Sequence, residues 1–222
     1  MAMAFDLLHA DDHLLVLDKP SGLLAVPGRG PARQDCLSAR VQAVYPDALI
    51  VHRLDQDTSG LLVMARGAEA QRRLSMAFAA REVHKRYVAV VAGVLAAPAS
   101  EDGWGLIDLP LIVDWPNRPR SKVDFDIGKP SQTRWRVLET PSVGASVEAC
   151  PATRLALEPV TGRSHQLRVH LMALGHPILG DALYAPPHLQ AAAPRLLLHA
   201  SRLGFRHPFS GEDRVFERAP GF

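Results

Sequence analysis

The sequence predicts a sheet-rich α+β fold, and three observations support this. Short apolar runs bounded by turn residues recur along the chain, as expected of strands. Two segments carry the three- and four-residue apolar spacing of amphipathic helices. The 222 residues, 47% of them hydrophobic, suffice for one substantial core or two small lobes.

The elements of the first half follow from apolar spacing and breakers. The run at residues 13–17 ends before Pro20 and Gly22, which is typical of a strand and its turn. Leu37, Val41 and Val44 share one helical face that stops before Pro46. The predicted elements are strands at 13–17, 61–65 and 87–94, and helices at 37–45 and 69–81.

The second half predicts more strands and one helix. We expect strands near residues 121–127, 132–139, 152–158 and 196–206. Ser164 is a candidate N-cap for a helix that runs to about Ala173, with Gly175 and Pro177 as its stop. The stretches 96–105 and 185–194, rich in Pro, Gly and Ser, predict surface loops.

Composition argues against several protein classes. No apolar run approaches the ~18 residues of a membrane span, and residues 1–10 lack the pattern of a secretory signal. Cys36 and Cys150 have no metal-type spacing, and His165 and His170 lack the spacing of a zinc helix. The glycine-rich residues 26–30 lack the Gly-Lys-Ser/Thr of a phosphate loop. We therefore expect a cytoplasmic protein without membrane contact, bound metal or nucleotide loop.

The basic residues fall into two clusters although the net charge is only +2. The first holds Arg66, Arg72, Arg73, Arg81, Lys85 and Arg86, and the second holds Arg118, Arg120 and Lys122. Both suit contact with nucleic-acid phosphates. They equally suit a solvated surface, and these two interpretations stay open from charge alone.

The most informative segment is His52-Arg53-Leu54-Asp55-Gln56-Asp57-Thr58-Ser59-Gly60, which directly precedes a buried strand. It places an acid after an arginine in a polar turn. Such an acid is either a turn-former or a nucleophile held on a rigid base, and turn chemistry alone favours the first. The residues by themselves leave the choice open.

Four blocks in order resemble the RluA family of pseudouridine synthases. They are HRLDQDTSG at 52–60, DKPSGL at 18–23, KRYVA at 85–89 and TGRSHQLRVH at 161–170. The resemblance implies a mostly antiparallel mixed sheet in two lobes with flanking helices, and an enzyme that isomerises uridine in RNA. We expect one catalytic domain over residues 1–222, with no room for the small S4-type RNA-binding domain that many relatives carry.

The resemblance also implies the site residues. Asp55 corresponds to the catalytic aspartate, Arg163 to its ion-pair partner, and Tyr87 to a tyrosine against the target base. Arg53 corresponds to an arginine that fills the stack left by the flipped uridine. Without the family, the residues alone favour Tyr87 as a core residue and Arg163 as a surface arginine at a helix start.

The implied chemistry breaks the bond between C1′ and N1, turns the uracil over and rejoins it through C5. No redox change or energy input is needed, so no cofactor is expected. A carboxylate at Asp55 can act as the nucleophile. Whether it attacks C1′, adds to C6 or assists an elimination stays open.

Residues 109–122, with flanking matches, resemble a dual-specificity member of the family. That enzyme modifies uridine 32 of certain tRNA anticodon stem-loops and uridine 746 of a 23S rRNA hairpin. Arg118, Arg120 and Lys122 then form a basic finger for these RNAs, or else a Pro-rich surface hairpin. No protein partner is implied, and we expect a monomer.

Three alternatives remain. A relative with a single rRNA or tRNA substrate would share the motifs. A non-catalytic RNA-binding module would share only the basic clusters. A glycosidic hydrolase usually needs two carboxylates, and Asp57 could join Asp55 on one face only if the turn stayed extended.

Overall fold

A computed structural model describes residues 5–139 and 151–222. The chain divides into two compact units. The N-terminal unit comprises the described part of Met1–Lys85 together with His199–Gly221, and the central unit comprises the described part of Arg86–Leu198 together with Phe222. The two units confirm the prediction of two lobes. Cys150 lies outside the described residues.

The described residues form twelve strands and four α-helices. The strands are β1 Asp6–Ala10, β2 Leu14–Lys19, β3 Ala48–Ile50, β4 Ser59–Arg66, β5 His84–Ala92, β6 Gly105–Asp108, β7 Leu111–Val113, β8 Ser121–Val123, β9 Gln132–Glu139, β10 Ala152–Pro159, β11 Leu198–Arg206 and β12 Asp213–Glu217. The helices are α1 Leu37–Gln42, α2 Ala68–Ala79, α3 Gln166–Ala173 and α4 Pro187–Ala191. The strands dominate, which confirms the α+β class.

The N-terminal unit is built around β4. This strand pairs antiparallel with β2 and β3 and parallel with β11, and β1 and β12 extend the sheet on β2 and β11. The sheet is therefore mixed but mostly antiparallel, as predicted. Leu61 and Val63 of β4 pack with Ala70 and Leu74 of α2, so the apolar stripe of the helix closes this core.

The central unit contains an antiparallel sheet in the order β5-β10-β9-β6 and a separate hairpin of β7 and β8. Leu155 and Leu157 of β10 pack with Leu167 and Leu171 of α3. The hairpin has its own small core, in which Leu111 packs with Val169 and Tyr184. The helix α3 thus lies between the sheet core and the hairpin core.

The structure confirms the predicted elements in kind, with shifted ends. The helix predicted at 37–45 ends at Gln42, and α4 interrupts the predicted loop at 185–194. The sequence interpretation missed five strands, namely β1, β3, β6, β7 and β12. Each has five residues or fewer, so too little alternation is present to predict a strand without its partner.

The predicted N-cap at Ser164 is wrong. The cap position of α3 is His165, whose backbone has a left-handed φ of 56° and whose side chain makes no capping bond. The turn is closed instead by Gln166, whose Oε1 accepts the Arg163 backbone N–H at 3.0 Å. Gln166 thus fixes the loop that precedes α3, and the helix itself has no side-chain cap.

Within the residues described here, no helix is long and apolar enough to span a lipid bilayer.

Candidate active site

Asp55 lies in an irregular turn before β4. The chain turns at Gln56 and Asp57, and the Thr58 backbone N–H donates to the Asp55 carbonyl at 3.2 Å. Asp55 is half-buried, whereas Arg53 is exposed. Because β4 begins only at Ser59, Arg53 does not share a strand face with Asp55. Because the chain turns at Gln56 and Asp57, Asp55 and Asp57 do not lie on one face of an extended strand, as a pair of hydrolase carboxylates here would require.

The buried Lys19 side chain is bonded to this turn at the Gln56 carbonyl. The sequence interpretation missed Lys19 as a site residue. Its side chain is fully buried at the end of β2. The ammonium donates to three backbone carbonyl oxygens, those of Pro20 (2.8 Å), Leu23 (2.7 Å) and Gln56 (2.8 Å). The KPSG motif was the available signal, because a lysine before a Pro-Ser-Gly turn can fold back onto that turn's carbonyls.

Further hydrogen bonds join the KPSG turn to the Asp55 turn. The Gly22 backbone N–H donates to the Gln56 carbonyl at 2.9 Å, and the Ser21 hydroxyl donates to the Asp57 carbonyl at 2.7 Å. The two motifs, more than thirty residues apart in the chain, therefore form one frame. The frame fixes the backbone directly after Asp55, at Gln56 and Asp57.

The charge of Lys19 is coupled to both nearby carboxylates. Burial lowers the pKa of Lys19 to about 8, although the charges of Asp57 and Asp55 act to raise it. The side chain is therefore largely protonated at neutral pH. It supplies positive potential at Asp55 without reaching the surface.

His52 has a structural role in the same motif. Its Nε2 accepts the Val63 backbone N–H at 3.1 Å, and its ring stacks on Phe78 at 4.5 Å between centroids. Burial and the charge of Lys85 lower the pKa of His52 to about 3. The imidazole is thus neutral at physiological pH and anchors the motif to β4 and α2.

The Ser-Gly end of the motif joins β4 to β11. The Ser59 hydroxyl and His199 Nδ1 lie 2.9 Å apart. Gly60 has φ 110°, and a Cβ there would collide with the Ala200 backbone. Only glycine allows this close strand approach.

Tyr87 lies in β5 of the central unit, directly across the strand pair from Leu157. The residue is half-buried, and its ring packs against the core cluster that includes Leu155 and Leu171. One side of the ring is therefore fixed by packing. This placement is compatible with both interpretations of Tyr87, as a core residue and as a wall of the site.

Arg163 is exposed on a loop whose backbone is held by Gln166. The amide of Gln166 is buried and donates to the Gln132 carbonyl (2.9 Å) and Thr133 Oγ1 (3.0 Å), while its Oε1 also accepts the Thr161 hydroxyl (2.7 Å). His170 Nδ1 lies 2.9 Å from the same Thr133 hydroxyl. Thr161, Gln166 and His170 of the TGRSHQLRVH block thus brace the loop that carries the exposed Arg163.

A second buried network supports the other side of this loop. Arg168 forms a bidentate ion pair with Asp181 at 2.8 and 2.6 Å, and both side chains are almost fully buried. Asp181 also accepts the Tyr184 backbone N–H at 3.1 Å. The Tyr184 hydroxyl accepts the Ser121 N–H and lies 2.7 Å from His165 Nδ1. One tyrosine therefore links the β7–β8 hairpin to the Arg163 loop.

The basic residues differ in whether they form ion pairs with acidic side chains. Several form ion pairs, namely Arg66 with Asp47, Arg72 and Arg73 with Glu69, Arg86 with Glu158, and Lys122 with Asp124. The first cluster is thus not a run of free positive charge. Arg118 and Arg120 form no ion pair among residues 5–139 and 151–222, and neither do Arg81 and Lys85 of the first cluster. The charges of Arg118 and Arg120 are therefore open to a phosphate.

The predicted site residues fall in both units. Asp55 and Arg53 belong to the N-terminal unit, and Tyr87, Arg163 and the hairpin residues belong to the central unit. The ion pair of Asp55 with Arg163 stays a prediction. In the part of the chain that the structure describes, no group of His, Cys, Asp and Glu could hold a metal ion.

Sequence comparison gives concordant matches over almost the whole chain. The profile of the RNA pseudouridylate synthase family matches residues 13–173. The dual-specificity RNA pseudouridine synthase RluA of Escherichia coli K12 is 50% identical over 97% of this chain and 93% of its own length. The enzyme of the same name from Yersinia pestis is 49% identical, over 95% of this chain and 96% of its own.

Solved structures agree on the fold. Human RNA Pseudouridylate Synthase Domain Containing 1 superposes with a TM-score of 0.78 at 27% identity, covering 99% of this chain and 85% of that one. Human RNA Pseudouridylate Synthase Domain Containing 4 gives a TM-score of 0.73 at 23% identity, covering 96% and 88%. The second likeness concerns the fold alone.

Proposed function

The chain belongs to the RNA pseudouridylate synthase family, and on that premise we propose that Asp55 is the nucleophile with which it isomerises uridine to pseudouridine. One observation carries the proposal. Asp55 is the half-buried acid of a turn whose flanking backbone is bonded to the buried Lys19 ammonium and the KPSG turn. A hydrogen-bonded backbone and the nearby positive charge of Lys19 suit a carboxylate that must stay ionised and aligned.

We assign the other site residues around Asp55. Arg163, exposed on its braced loop, is the ion-pair partner that keeps the Asp55 carboxyl charged. Tyr87 is the aromatic wall for the target base, and the exposed Arg53 fills the stack that the flipped uridine leaves. These roles need no cofactor, because the reaction is a rearrangement at constant oxidation state.

We propose a dual-specificity enzyme for the substrates. Relatives named as dual-specificity RNA pseudouridine synthases are about half identical over nearly the entire chain. The proposed targets are uridine 32 in tRNA anticodon stem-loops and uridine 746 in a 23S rRNA hairpin. Arg118 and Arg120, with a smaller part for Lys122, contact the RNA backbone. The enzyme is proposed to act as a cytoplasmic monomer with one catalytic domain.

The test of the nucleophile is Asp55→Asn beside Asp57→Asn. Both changes remove one carboxylate within reach of the Lys19 charge, so the second is a matched control for electrostatics and folding. We expect Asp55→Asn to fold, bind RNA and lose at least about 10⁴-fold in activity. Asp57→Asn should retain activity within about tenfold. Tritium release from RNA with uridine labelled at C5 measures both.

Comparable losses in the two variants would remove Asp55 from the nucleophile role. Mapping of the product RNA separates the remaining classes. Pseudouridine supports the proposal, an unchanged base indicates a binding module, and an abasic site indicates a hydrolase.

A further inference from the structure

Three large apolar side chains are exposed next to the basic hairpin residues. Trp115 is 65% exposed, Phe125 76% and Ile127 69%. Trp115 lies in the turn between β7 and β8, and the other two lie in the turn after β8. Single exposed apolar side chains are common on the surface of a monomer, whereas a group of them marks an interaction site. The grouping of these side chains on one hairpin therefore indicates an interaction surface.

Hydrogen bonds hold both turns in place. In the first, the Asp114 N–H donates to the Arg120 carbonyl at 2.9 Å, and the Asn117 side-chain amide donates to the Asp114 carboxylate at 2.9 Å. In the second, the Asp124 carboxylate accepts the backbone N–H groups of Asp126 and Ile127, each at 3.1 Å. The carboxylates of Asp114 and Asp124 thus accept hydrogen bonds within these turns. The aromatic side chains are attached to backbone that these bonds hold in place.

An arginine lies beside the Trp115 ring. The Arg118 guanidinium lies 4.2 Å from the centre of the Trp115 ring, over one face, which leaves most of the indole open. Arg120 lies in the same turn without an ion pair among the described residues. An aromatic face beside guanidinium groups that form no ion pair among the described residues matches the alternation of base and phosphate along an unpaired nucleic-acid strand.

The spacing argues against a protein partner. The ladder of β7 and β8, three residues on each strand, separates the Trp115 turn from the Phe125 turn by roughly 10 Å. A protein-docking patch would be contiguous and apolar at its centre. Here charged residues such as Lys122 lie between the two aromatic positions.

We propose that Trp115 and Phe125 are base-stacking residues with which this hairpin selects RNA loops containing unpaired bases over duplex RNA. The inference rests on the proposed function and adds the feature of the substrate that is recognised. Stacked bases inside a duplex offer no free face to either ring. Unpaired loop bases do, and the ordered turns reduce the entropic cost of stacking.

The experiment uses the full chain and three RNA probes that contain the same number of phosphates. These are a stem-loop with a uridine target, the same stem-loop with abasic loop nucleotides, and a blunt duplex. Binding is measured for wild type, Trp115→Ala, Phe125→Ala and the control Leu106→Ala, which removes an exposed apolar side chain from β6. Trp115→Tyr tests rescue by another stacking ring, and thermal melting verifies that each variant is folded.

We expect Trp115→Ala and Phe125→Ala each to weaken binding of the normal stem-loop about 5- to 100-fold. Binding of the duplex and the abasic loop should change by less than about twofold, because phosphate contacts remain. Leu106→Ala should behave as wild type, and Trp115→Tyr should recover most of the affinity.

Equal losses on all three probes would overturn the inference, because the rings would then support backbone contacts only. Unchanged stem-loop affinity in Trp115→Ala and Phe125→Ala would also overturn it. Each of these results leaves pseudouridine formation by the wild type intact. A wild type that forms no pseudouridine contradicts the proposed function itself.

Discussion

His52 shows how one residue of the HRLD segment contributes to the fold rather than to chemistry. Its neutral Nε2 accepts the Val63 backbone N–H inside the N-terminal unit. The pKa of His52 is about 3 in the folded chain, whereas its ordinary value is 6.5. Between these two pH values the unfolded chain therefore binds a proton at His52 and the folded chain does not. Stability from this residue is therefore complete above pH 6.5 and is lost as the pH falls towards 3.

We predict that the wild type loses about 2 kcal/mol more unfolding free energy between pH 7 and pH 5 than His52→Gln does. Urea unfolding at the two pH values measures it. His84→Gln, at an exposed position at the start of β5, is the control and should show the wild-type dependence. An equal pH dependence in wild type and His52→Gln would refute the structural role.

Lys19 makes a second residue-scale point. A fully buried ammonium is costly unless it is hydrogen-bonded, and this one has three carbonyl acceptors. The same three bonds close the KPSG turn and tie it to Gln56. The hydrogen bonds that stabilise the buried Lys19 ammonium are therefore the same ones that position the backbone next to Asp55.

At the scale of elements, Tyr184 connects structures that are distant in the chain. Its hydroxyl accepts the buried Ser121 N–H at the start of β8 and lies against His165 at the start of α3. The Arg168–Asp181 pair fixes the tyrosine backbone and places the guanidinium 5.1 Å from the tyrosine ring centre. The Tyr184 hydroxyl thus adds a hydrogen-bonded link between the hairpin and the Arg163 loop to the apolar contacts of Leu111 with Val169.

We predict that Tyr184→Phe lowers the unfolding free energy by about 1–3 kcal/mol, because the Ser121 N–H loses its acceptor in a buried place. Amide hydrogen exchange at Ser121 should accelerate, whereas exchange in β4 should change little. Tyr45→Phe is the matched control, since the Tyr45 hydroxyl forms no hydrogen bond within the described part of the chain. Unaltered Ser121 exchange in Tyr184→Phe would show that the hydroxyl does not hold the hairpin.

At the scale of the whole molecule, charge is distributed unevenly. The net charge is +2, and many arginines are neutralised by neighbouring acids, as Arg72 and Arg73 are by Glu69. Arg118 and Arg120 have no such partner among the residues with described placement and lie two positions apart in one turn. Recognition of a small RNA loop suits such a local basic surface better than recognition of an extended ribosomal surface.

We predict that an isolated anticodon stem-loop with uridine 32 is modified, as is an isolated rRNA hairpin. Neutralising Arg118, Arg120 and Lys122 together should weaken binding to both and lower the slope of log affinity against log salt by about two to three. The double variant Arg72→Gln/Arg73→Gln should keep the wild-type slope. An inert tRNA stem-loop beside reactive rRNA would identify a single-substrate relative instead.

Local pattern determined much of this protein. The apolar runs at 13–17 and 61–65 and the spacing of Ala70 and Leu74 predicted β2, β4 and α2, because these residues bury one continuous face each. The four motif blocks identified the family, and the comparisons confirmed it. The acid of the HRLD motif, Asp55, became a candidate nucleophile only through that family resemblance, because the residues alone left a turn-forming acid open.

Only the tertiary structure decided which polar residues act together. Lys19 bonds Gln56, 37 positions away, and Tyr184 bonds Ser121, 63 positions away. The strands β6 and β12 exist because partners pair with them, and α3 begins one residue later than predicted, with His165 instead of Ser164 at its cap position. Hydrogen bonds and ion pairs between distant segments leave no periodic trace in a sequence, since their partners meet only when the chain has folded.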